Sequence, residues 1–506
     1  MTATTDRSWV VRQSAVLTAD PARVVARLFL PGQEMGGGER SRSSEVLARI
    51  LALADDVVDA ELAAVVDAFD DRHRDLPALW RSHYELVGHR LPNGAAPSPQ
   101  QRALIGAYFT QEFAFEAAAL FNPSMAPHPD QDGLPPGAVR FVMTLRAVGE
   151  GHVSSIEMRV GVVDADGHVR IEPAGTVAVP AVDIEPAWVR TAFAEQVADM
   201  WGDLHDAEDV LDRLPSRFGR AELDACLAWL RTESITRDPE RTVERFELMA
   251  ACSYSVEFPA SSAVTERLLL PRAPSESQGM EDTRLVRLDH GDGRVELVGT
   301  YTAFDGTAVS SQLLRTHDLR RFSMTRLSGP GSRNKGLALF PRRIDGRYAA
   351  LSRADRETNG ISWSDDLQRW DEPILVQAPV QPWEAVQLGN CGPPLETPAG
   401  WLVLTHGVGP MRRYSIGAIL LDLDDPTRMI GRLDRPLLEP DDDERSGYVP
   451  NVVYSCGALL HGTTIVLPYG CSDSQTRLAL VALEPLLAEL TGLTGAADDD
   501  RSEESA

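Results

Sequence analysis

A glycine that leads directly into a short apolar run recurs along this chain. The five runs are DGHVRI, DGRVEL, DGRYAAL, AGWLVL and HGTTIVL, with glycines at Gly167, Gly293, Gly346, Gly400 and Gly462. The last four glycines are 53, 54 and 62 residues apart, and the longer first interval contains a block with helical periodicity, 186–230. Units of this size with several short strands are typical of β-propeller blades. Hairpin turns of a generic all-β domain also place glycine before strands, so the spacing alone leaves both folds open.

Two segments show helical periodicity. From Ser43 to about His89, and again from Pro186 to about Leu230, apolar residues recur at steps of three and four. We therefore predict a mainly β protein with four parts. These are an N-terminal helical region over 1–105, a strand domain over 106–485, a helical insertion within it at about 183–235, and an acidic, disordered tail over 486–506.

The charge and the cysteines restrict the partners and the compartment. A net charge of -26 and an isoelectric point near 4.8 argue against binding to nucleic acid or to anionic lipid. The five cysteines form no CxxC pair, so we expect neither a disulfide framework nor a zinc ribbon, and a reducing cytoplasm suits the chain. The N-terminus lacks the apolar core of a signal peptide, and no segment has the roughly 18 apolar residues of a membrane helix.

Signatures of several other chemistries are missing from the sequence. It has no GxxxxGK[ST] phosphate loop, no HExxH and no GxSxG, and its 11 histidines lack the spacing of metal ligands. We therefore expect no metal and no organic cofactor.

The segment SESQGMEDTRLVRL groups two acids and a base where a strand is predicted to begin. Glu281, Asp282 and Arg284 fall within four positions. In isolation such a group is usually a solvated turn that enters a strand. The rest of the chain decides whether it is more than that.

Six segments in a fixed order carry a family resemblance. They are GMEDTRLVRL, YTAFDG, NKGLALFPRRIDGRYAALSR, GNCGPPLETPAGWLVLTHGV, IGAILLDLDDP and GYVPNVVYSCG. With them the chain, from roughly Phe113 to Leu483, resembles glycoside hydrolase family 130, the β-mannoside phosphorylases and β-mannosidases. The resemblance implies a five-bladed β-propeller, in agreement with the glycine repeat, and the extra helices are similar to those of a longer branch of the family. One departure is Thr283, where the family pattern EDPR has proline.

The resemblance implies that Asp282 is the proton donor, acting through a sugar hydroxyl rather than directly. Burial and the neighbouring Glu281 would raise the pKa of this acid, as a donor requires, whereas Arg284 would lower it. The sequence leaves that balance open, and a surface turn is the alternative.

The nucleophile distinguishes a phosphorylase from a hydrolase. Inorganic phosphate is already anionic and needs cations and hydroxyls to orient it, whereas water needs a second carboxylate as base. The resemblance implies a phosphate site at Lys335, Arg353, His406 and Ser155, and Tyr469 is a further candidate to close that pocket. The alternative for each cation is a surface charge or a carboxylate partner, and Arg412 and Arg413 are further candidates for the same pocket.

Sugar contacts are expected from polar residues near strand ends. The resemblance implies that Asn122 and Arg146 hold the mannosyl unit. Glu281, Asp305 and Glu396 are further candidates for substrate binding, and the last two are expected to hold sugar hydroxyls or to orient the cations. Turn capping is the alternative for Asp305, and a buried ion pair is the alternative for Glu396.

The resemblance implies an inverting phosphorylase that converts a β-mannoside and inorganic phosphate, its co-substrate, into α-mannose 1-phosphate and a shortened acceptor. A β-mannosidase of the same family, acting for example on β-1,2 linkages, and a non-catalytic carbohydrate-binding propeller are the alternatives. The helical regions are available to cover the propeller, to line an acceptor subsite, or to join two copies of the chain into a homo-oligomer.

Overall fold

Strands predominate in the computed structural model, which describes residues 7–32, 42–201, 205–233 and 238–492. The prediction of a mainly β protein is therefore confirmed. The helices of the described residues are α1 (Arg42–Leu51), α2 (Asp55–Phe69), α3 (Leu76–Val87), α4 (Pro99–Tyr108), α5 (Arg190–Trp201), α6 (His205–Arg213), α7 (Arg220–Thr232), α8 (Pro239–Ala251) and α9 (Leu483–Leu490).

Five antiparallel arrays of strands follow one another along the chain. Before them lie β1 (Val10–Thr18), β2 (Val24–Leu28) and β3 (Thr110–Ala114). The first array contains β4 (Ala119–Pro127), β5 (Val139–Val148), β6 (Ser154–Val163) and β7 (Val169–Ile171). Short strands separate it from the second array, namely β8 (Val179–Pro180), β9 (Val182–Ile184), β10 (Trp188–Val189), β11 (Arg217–Phe218), β12 (Tyr254–Glu257) and β13 (Arg267–Leu269).

The second and third arrays are regular meanders, whereas in the fourth and fifth two short strands pair with the same long strand. The second contains β14 (Gly279–Asp289), β15 (Val295–Phe304), β16 (Val309–Thr316) and β17 (Arg321–Arg326). The third contains β18 (Ala338–Leu339), β19 (Tyr348–Ser352), β20 (Asn359–Ser364) and β21 (Ile374–Gln377). The fourth contains β22 (Gln387–Asn390), β23 (Leu395–Thr397), β24 (Gly400–Val408), β25 (Tyr414–Leu421) and β26 (Met429–Arg432), and the fifth contains β27 (Val453–Tyr454), β28 (Leu459–His461), β29 (Thr464–Cys471) and β30 (Gln475–Ala482). All five glycines of the repeat lie just before or at the start of a strand and have positive φ, so that part of the prediction is confirmed.

The two ends of the strand-rich region are joined by β1. This strand pairs antiparallel with β30, from Val10 opposite Val481 to Thr18 opposite Gln475. The fifth array is therefore completed by residues that precede every other array in the sequence. A single bridge between Gly279 and Ser154 links the first and second arrays into one twelve-stranded sheet.

Apolar clusters lie between successive arrays. One cluster joins the first and second arrays and includes Met158 and Met280, and another joins the second and third and includes Val298 and Leu339. The third packs on the fourth, and the fourth on the fifth. A further cluster joins the fifth array back to the first. Every array thus buries apolar side chains against two others, which is the main source of stability for such an arrangement.

The helices form two separate groups, and their bounds differ from those predicted. Helices α1, α2, α3 and α4 pack around a cluster that includes Leu47 and Phe109, but the predicted helical region 1–105 also contains β1 and β2. Helices α5 to α8 share the cluster around Phe246, and α8 extends the insertion beyond 235. Asp238 caps α8 and Pro239 occupies its first turn, a start signal that the sequence prediction missed.

The end of the chain departs from its prediction in one respect. Helix α9 covers the first residues of the predicted tail 486–506, because Leu486 and Leu490 pack into the cluster between the fourth and fifth arrays. Residues 493–506 lie outside the described residues. None of the described helices combines the length and the apolar composition that a membrane crossing requires.

Candidate active site

Two β-bulges meet at the centre of the candidate site. In β14 the register shifts between Glu281 and Arg284, so Asp282 and Thr283 lie opposite a single residue of β15. In β4 the register shifts in the same way between Phe121 and Ser124. Such bulges re-aim side chains next to functional sites.

The bulged residues adopt the left-handed region of φ. Asp282 has φ 55° and Asn122 has φ 50°, and Asp and Asn are among the few residue types that tolerate this conformation. Asn122 Nδ2 donates a hydrogen bond of 2.6 Å to Asp282 Oδ1. The backbone N–H of Leu285 donates to Ser124 Oγ at 2.9 Å, so the two strands are tied at a second point. The segment EDTR is therefore a bulge inside a strand, and not the turn that the isolated motif suggested.

Cations surround the carboxylate of Asp282. Arg146 Nη1 lies 3.5 Å from Asp282 Oδ1, and Arg146 Nη2 donates to Glu281 Oε1 at 2.7 Å. Lys335 Nζ lies 3.9 Å from Glu281 Oε2. Burial raises the pKa of Asp282, but the charges of Arg146, Lys335 and Arg284 outweigh it, so the pKa lies below its usual value. The sequence left open whether the pKa of Asp282 is raised or lowered, and the structure favours the lowered pKa and the ionised carboxylate.

Arg284 connects this carboxylate to the fourth and fifth arrays. The buried guanidinium donates to Asn390 Oδ1 at 3.3 Å, to the Asp282 carbonyl at 3.1 Å and to the Tyr454 hydroxyl at 2.6 Å. Neither Asn390 nor Tyr454 was predicted as a site residue, although both lie in segments that carry the family resemblance. Each of its three nitrogens thus donates one hydrogen bond within the site, so Arg284 fixes the positions of Asp282, Asn390 and Tyr454 relative to one another.

Arg353 lies in a cradle of glycines. A Cβ on Gly389 would lie 2.3 Å from Arg353 Cδ, and a Cβ on Gly336 would lie 3.2 Å from the same atom. The side chain is buried, and its Nη2 donates to the carbonyl of Arg356 at 2.7 Å. Its Nε has no hydrogen-bond partner among the described residues. A buried guanidinium N–H without a partner is costly unless a ligand accepts from it.

His406 lies beside Arg353 and is neutral. Burial lowers the pKa of His406 well below its usual value, and the charges of Arg353 and Arg284 lower it further. Its Nδ1 lies 3.2 Å from the Asn390 carbonyl, so we assign the proton to Nδ1 and an acceptor lone pair to Nε2. The ring also lies 4.9 Å from that of Tyr454. His406 can therefore accept a hydrogen bond from a protonated phosphate oxygen, and it adds no positive charge.

Asp473 is a further carboxyl that interacts electrostatically with Asp282. Burial raises the pKa of Asp473 and the charge of Asp282 raises it further, to about 6, against the opposing effects of Arg146, Arg412 and Lys335. The residue has φ 49° at the turn between β29 and β30. The sequence prediction missed it, because a lone Asp in a turn carries no local signal. Among the carboxyl groups of the site, Asp282 and Asp473 have environments that shift their pKa values in opposite directions.

Four predicted residues lie apart from this group. Tyr469 donates through its hydroxyl to Glu444 at 2.6 Å, because its side chain points to the face of β29 opposite to Gly470, which contacts Asn122. Ser155 lies on the face of β6 opposite to Ser154, and Ser154 Oγ is the atom that accepts from Arg146 Nε at 2.8 Å.

The other two are Asp305 and Glu396. Asp305 is a turn cap that accepts from the N–H groups of Thr307 and Ala308 at 2.8 and 2.7 Å. Glu396 forms an ion pair with Arg342 at 2.8 Å, exposed to solvent and not buried as the alternative had it. The predicted residues that the structure does bring together are Asn122, Arg146, Glu281, Asp282, Lys335, Arg353 and His406.

One group among the described residues has the ligand types and proximity for a metal ion. It consists of Asp164, Asp166 and His168 in the loop between β6 and β7. Asp164 Oδ1 already accepts from the backbone N–H groups of both other residues, at 3.0 and 2.9 Å. The group is therefore accounted for as a capped turn and lies apart from the residues around Asp282.

Comparisons with known proteins agree on one family. A family model described as β-1,4-mannooligosaccharide phosphorylase matches residues 244–491. The chain is 36% identical over 219 residues to a 1,2-β-oligomannan phosphorylase of Thermoanaerobacter sp. (strain X514), covering 42% of this chain and 71% of the relative. It is 31% identical over 253 residues to a β-1,2-mannobiose phosphorylase of the same organism, covering 48% of this chain and 81% of the relative.

A solved structure of a β-1,2-mannobiose phosphorylase from Listeria innocua covers 74% of this chain and 92% of its own, at 22% identity and a TM-score of 0.42. The family-model match contains Asp282, Lys335, Arg353 and Asp473, but it begins after Asn122 and Arg146.

Proposed function

The chain belongs to glycoside hydrolase family 130, and from that membership we propose that it cleaves β-mannosides by inverting phosphorolysis. The products would be α-mannose 1-phosphate and an acceptor shortened by one unit. The observation that carries the proposal is the buried Arg353, whose Nε has no partner among the described residues, near a group of cations around one acid. A phosphate oxygen is the acceptor that such a nitrogen needs.

We propose that the five arrays are the blades of a closed β-propeller spanning about 106–485. Two features support this. Each array shares an apolar cluster with two others, including the fifth with the first, and β1 completes the last array with the start of the chain. Closure of this kind would hold the first array against the fifth and so help to fix Asn122, which donates to Asp282 of the second array.

The proposed reaction needs one acid and one oriented anion. Lys335 and Arg353 would hold hydrogenphosphate, and a phosphate oxygen would form a bond to the anomeric carbon as the glycosidic C–O bond breaks on the opposite face. The leaving oxygen would take a proton that Asp282 supplies through a sugar hydroxyl. Overall, the proton of hydrogenphosphate ends on the acceptor hydroxyl, so Asp282 returns to its starting state.

Bound phosphate would also change the pKa of Asp282. In the free protein Lys335 is one of the charges that hold the pKa of Asp282 low. A bound anion offsets that charge, so the pKa of Asp282 would climb when phosphate binds, and Asp282 would carry its proton only when the nucleophile is in place. The same cations would stabilise charge on the phosphate in the transition state.

A β-mannosidase remains the second candidate because of Asp473. An inverting hydrolase needs a second carboxylate to activate water, and Asp473, with its pKa at about 6, is ionised in most molecules at neutral pH. Phosphate dependence separates the two functions. The substrates for this test are β-1,2- and β-1,4-mannobiose, each with and without phosphate, since relatives with both linkages match the chain.

Mannose 1-phosphate that forms only with phosphate supports the phosphorylase. Free mannose released at the same rate in both conditions would instead establish the hydrolase. Asp282→Asn serves as the control, because a binding protein would hold the sugar equally well in both forms and turn over neither. The neutral sugar substrate suits the acidic chain, and the five free cysteines suit a reducing cytoplasm, where we place the protein.

A further inference from the structure

A groove runs between the fourth and fifth arrays. Its volume is about 730 Å³, within the usual range of roughly 300–1,000 Å³ for small-molecule sites. Its walls are formed by three segments: the turn between β24 and β25, the loop 436–445 and the start of β1. The residues that decide its chemistry are Arg12, Met411, Arg413, Glu439, Arg445 and Asn451.

One turn separates the groove from the site. Arg412 is among the charges that act on Asp473, while its neighbours Met411 and Arg413 line the groove. Directly after this turn, the Tyr414 ring stacks on that of His406 at 6.0 Å with an interplanar angle of 15°. The turn that contains Met411 and Arg413 therefore connects the groove to Asp473 and His406 of the candidate site.

The charges in the groove are paired with one another. Arg413 lies 3.0 Å from Glu439, Arg12 lies 3.3 Å from Asp441, and Arg445 lies 3.7 Å from Asp442. Arg445 Nε also donates to Asn451 Oδ1 at 3.1 Å. An anion would need unpaired cations, which the paired arginines do not offer. Guanidinium edges beside carboxylate and amide oxygens supply donors and acceptors side by side, which suits neighbouring hydroxyl groups.

The groove also presents apolar surface. Met411 lines the groove, has a φ of 59° and is 90% exposed. Pro410, Leu438 and Pro440 also line it. The left-handed φ of Met411 is uncommon for a non-glycine residue and occurs mostly at turns and functional sites, and the exposed side chain is available to a ligand. Paired polar groups with an apolar wall fit the alternating hydroxyl and C–H surfaces of a neutral oligosaccharide.

We infer that this groove binds the distal sugar units on the acceptor side of a manno-oligosaccharide. The inference rests on the proposed function, because that function defines which end of the substrate leaves the site. It adds that longer chains bind more tightly than mannobiose, and that the start of β1 contributes to substrate length preference.

The test measures affinity against chain length. Calorimetry on the Asp282→Asn protein, with mannobiose, mannotriose and mannotetraose of the linkage that the wild-type protein cleaves or binds best, gives Kd values without turnover. We expect mannotetraose to bind at least about fivefold more tightly than mannobiose, and Met411→Ala in the same background to reduce that ratio about threefold. Leu375→Ala is the matched control, because Leu375 is also an exposed apolar residue, at 60%, but lies on β21 outside the groove.

Equal Kd values for all three chain lengths would overturn the inference, as would a Met411→Ala protein that keeps the full ratio. Release of mannose 1-phosphate by the wild-type protein is measured in parallel. Phosphorolysis without length-dependent binding would refute the inference about the groove and support the proposed function. Length-dependent binding without phosphorolysis would support the groove as a binding site and refute the proposed function. A protein that binds no mannoside would refute both.

Discussion

Replacing Gly389 by alanine tests the proposed phosphate site without removing any of its polar groups. The added Cβ would lie 2.3 Å from Cδ and 2.4 Å from Nε of Arg353, and 2.6 Å from Cε1 of His406. Atoms in ordinary contact are about 3.5–4.0 Å apart, so one of the two side chains must move by about 1 Å or more. The φ of Gly389 lies outside the left-handed region, so the backbone itself accepts alanine.

The expected loss follows from the bond that the displacement breaks. A hydrogen bond to a charged group contributes about 1.5–3 kcal/mol, so the KM for phosphate should rise roughly 10- to 100-fold. Overpacking should lower the free energy of unfolding by about 1–3 kcal/mol, which leaves the protein folded at 25 °C. Initial rates of mannose 1-phosphate formation, at varied phosphate and saturating mannoside, measure the first effect, and thermal unfolding measures the second.

The matched control is Gly407→Ala in β24. Its Cβ would lie 2.5 Å from the Trp383 ring and 2.6 Å from Glu384 Cβ, so the overpacking is comparable. Because successive residues of a strand point to opposite faces, this Cβ lies on the face of β24 away from the His406 side chain. We expect a similar loss of stability and an unchanged KM for phosphate. A Gly389→Ala protein with lowered stability and a phosphate KM within about twofold of wild type would refute a role for Arg353 in holding phosphate.

Four further results follow from individual contacts. Asn122→Ala removes a hydrogen bond that lowers the pKa of Asp282, so that pKa should rise, and the limb of the pH profile of kcat/KM that reports Asp282 should move to higher pH. Thr283→Val should keep or raise thermal stability, by up to about 1 kcal/mol, because the buried hydroxyl has no partner among the described residues. Glu396→Ala should leave kcat/KM unchanged and alter stability by less than about 1 kcal/mol, since its ion pair is exposed. Burial raises the pKa of Glu157 to about 8, so its contribution to stability is complete below the unfolded value of 4.5 and is lost as the pH rises through about 8; Glu157→Gln should flatten that part of a plot of Tm against pH.

The sequence predicted the features that local chemistry determines. A glycine with positive φ before an apolar run specifies a turn and the strand after it, so the strand starts near Gly293 and Gly346 were found without any knowledge of their partners. Strand β1 was missed, because its partner β30 lies at the other end of the chain and supplies the pairing that defines it. The bulge at Asp282 was missed for a similar reason, since a register shift is a property of two strands.

The site residues also divide into those that a local sequence segment identifies and those that only the folded arrangement identifies. Lys335, Arg353 and His406 were found because their segments resemble the family, and packing brings them together. Asp305 was assigned to the sugar on its motif alone, although an Asp two residues before a threonine in a Gly-containing turn already indicates a cap. Asp473 had no such signal, because only the folded arrangement places this turn residue against Asp282 and Arg146.

The acid of the proposed reaction depends on a part of the chain that the family model does not match. That match begins at residue 244, yet two groups that hold Asp282 as an anion, Asn122 and Arg146, come from the first array. They reach Asp282 because the first and second arrays share an apolar cluster and a single bridge at Gly279. The first array is held in turn against the fifth, which β1 completes. Removing residues 7–18 should therefore change the pH dependence of turnover, and not only the stability, because it loosens the array that sets the pKa of the acid. A truncated protein that stays folded and keeps the wild-type pH profile would show that the second array alone determines the acid.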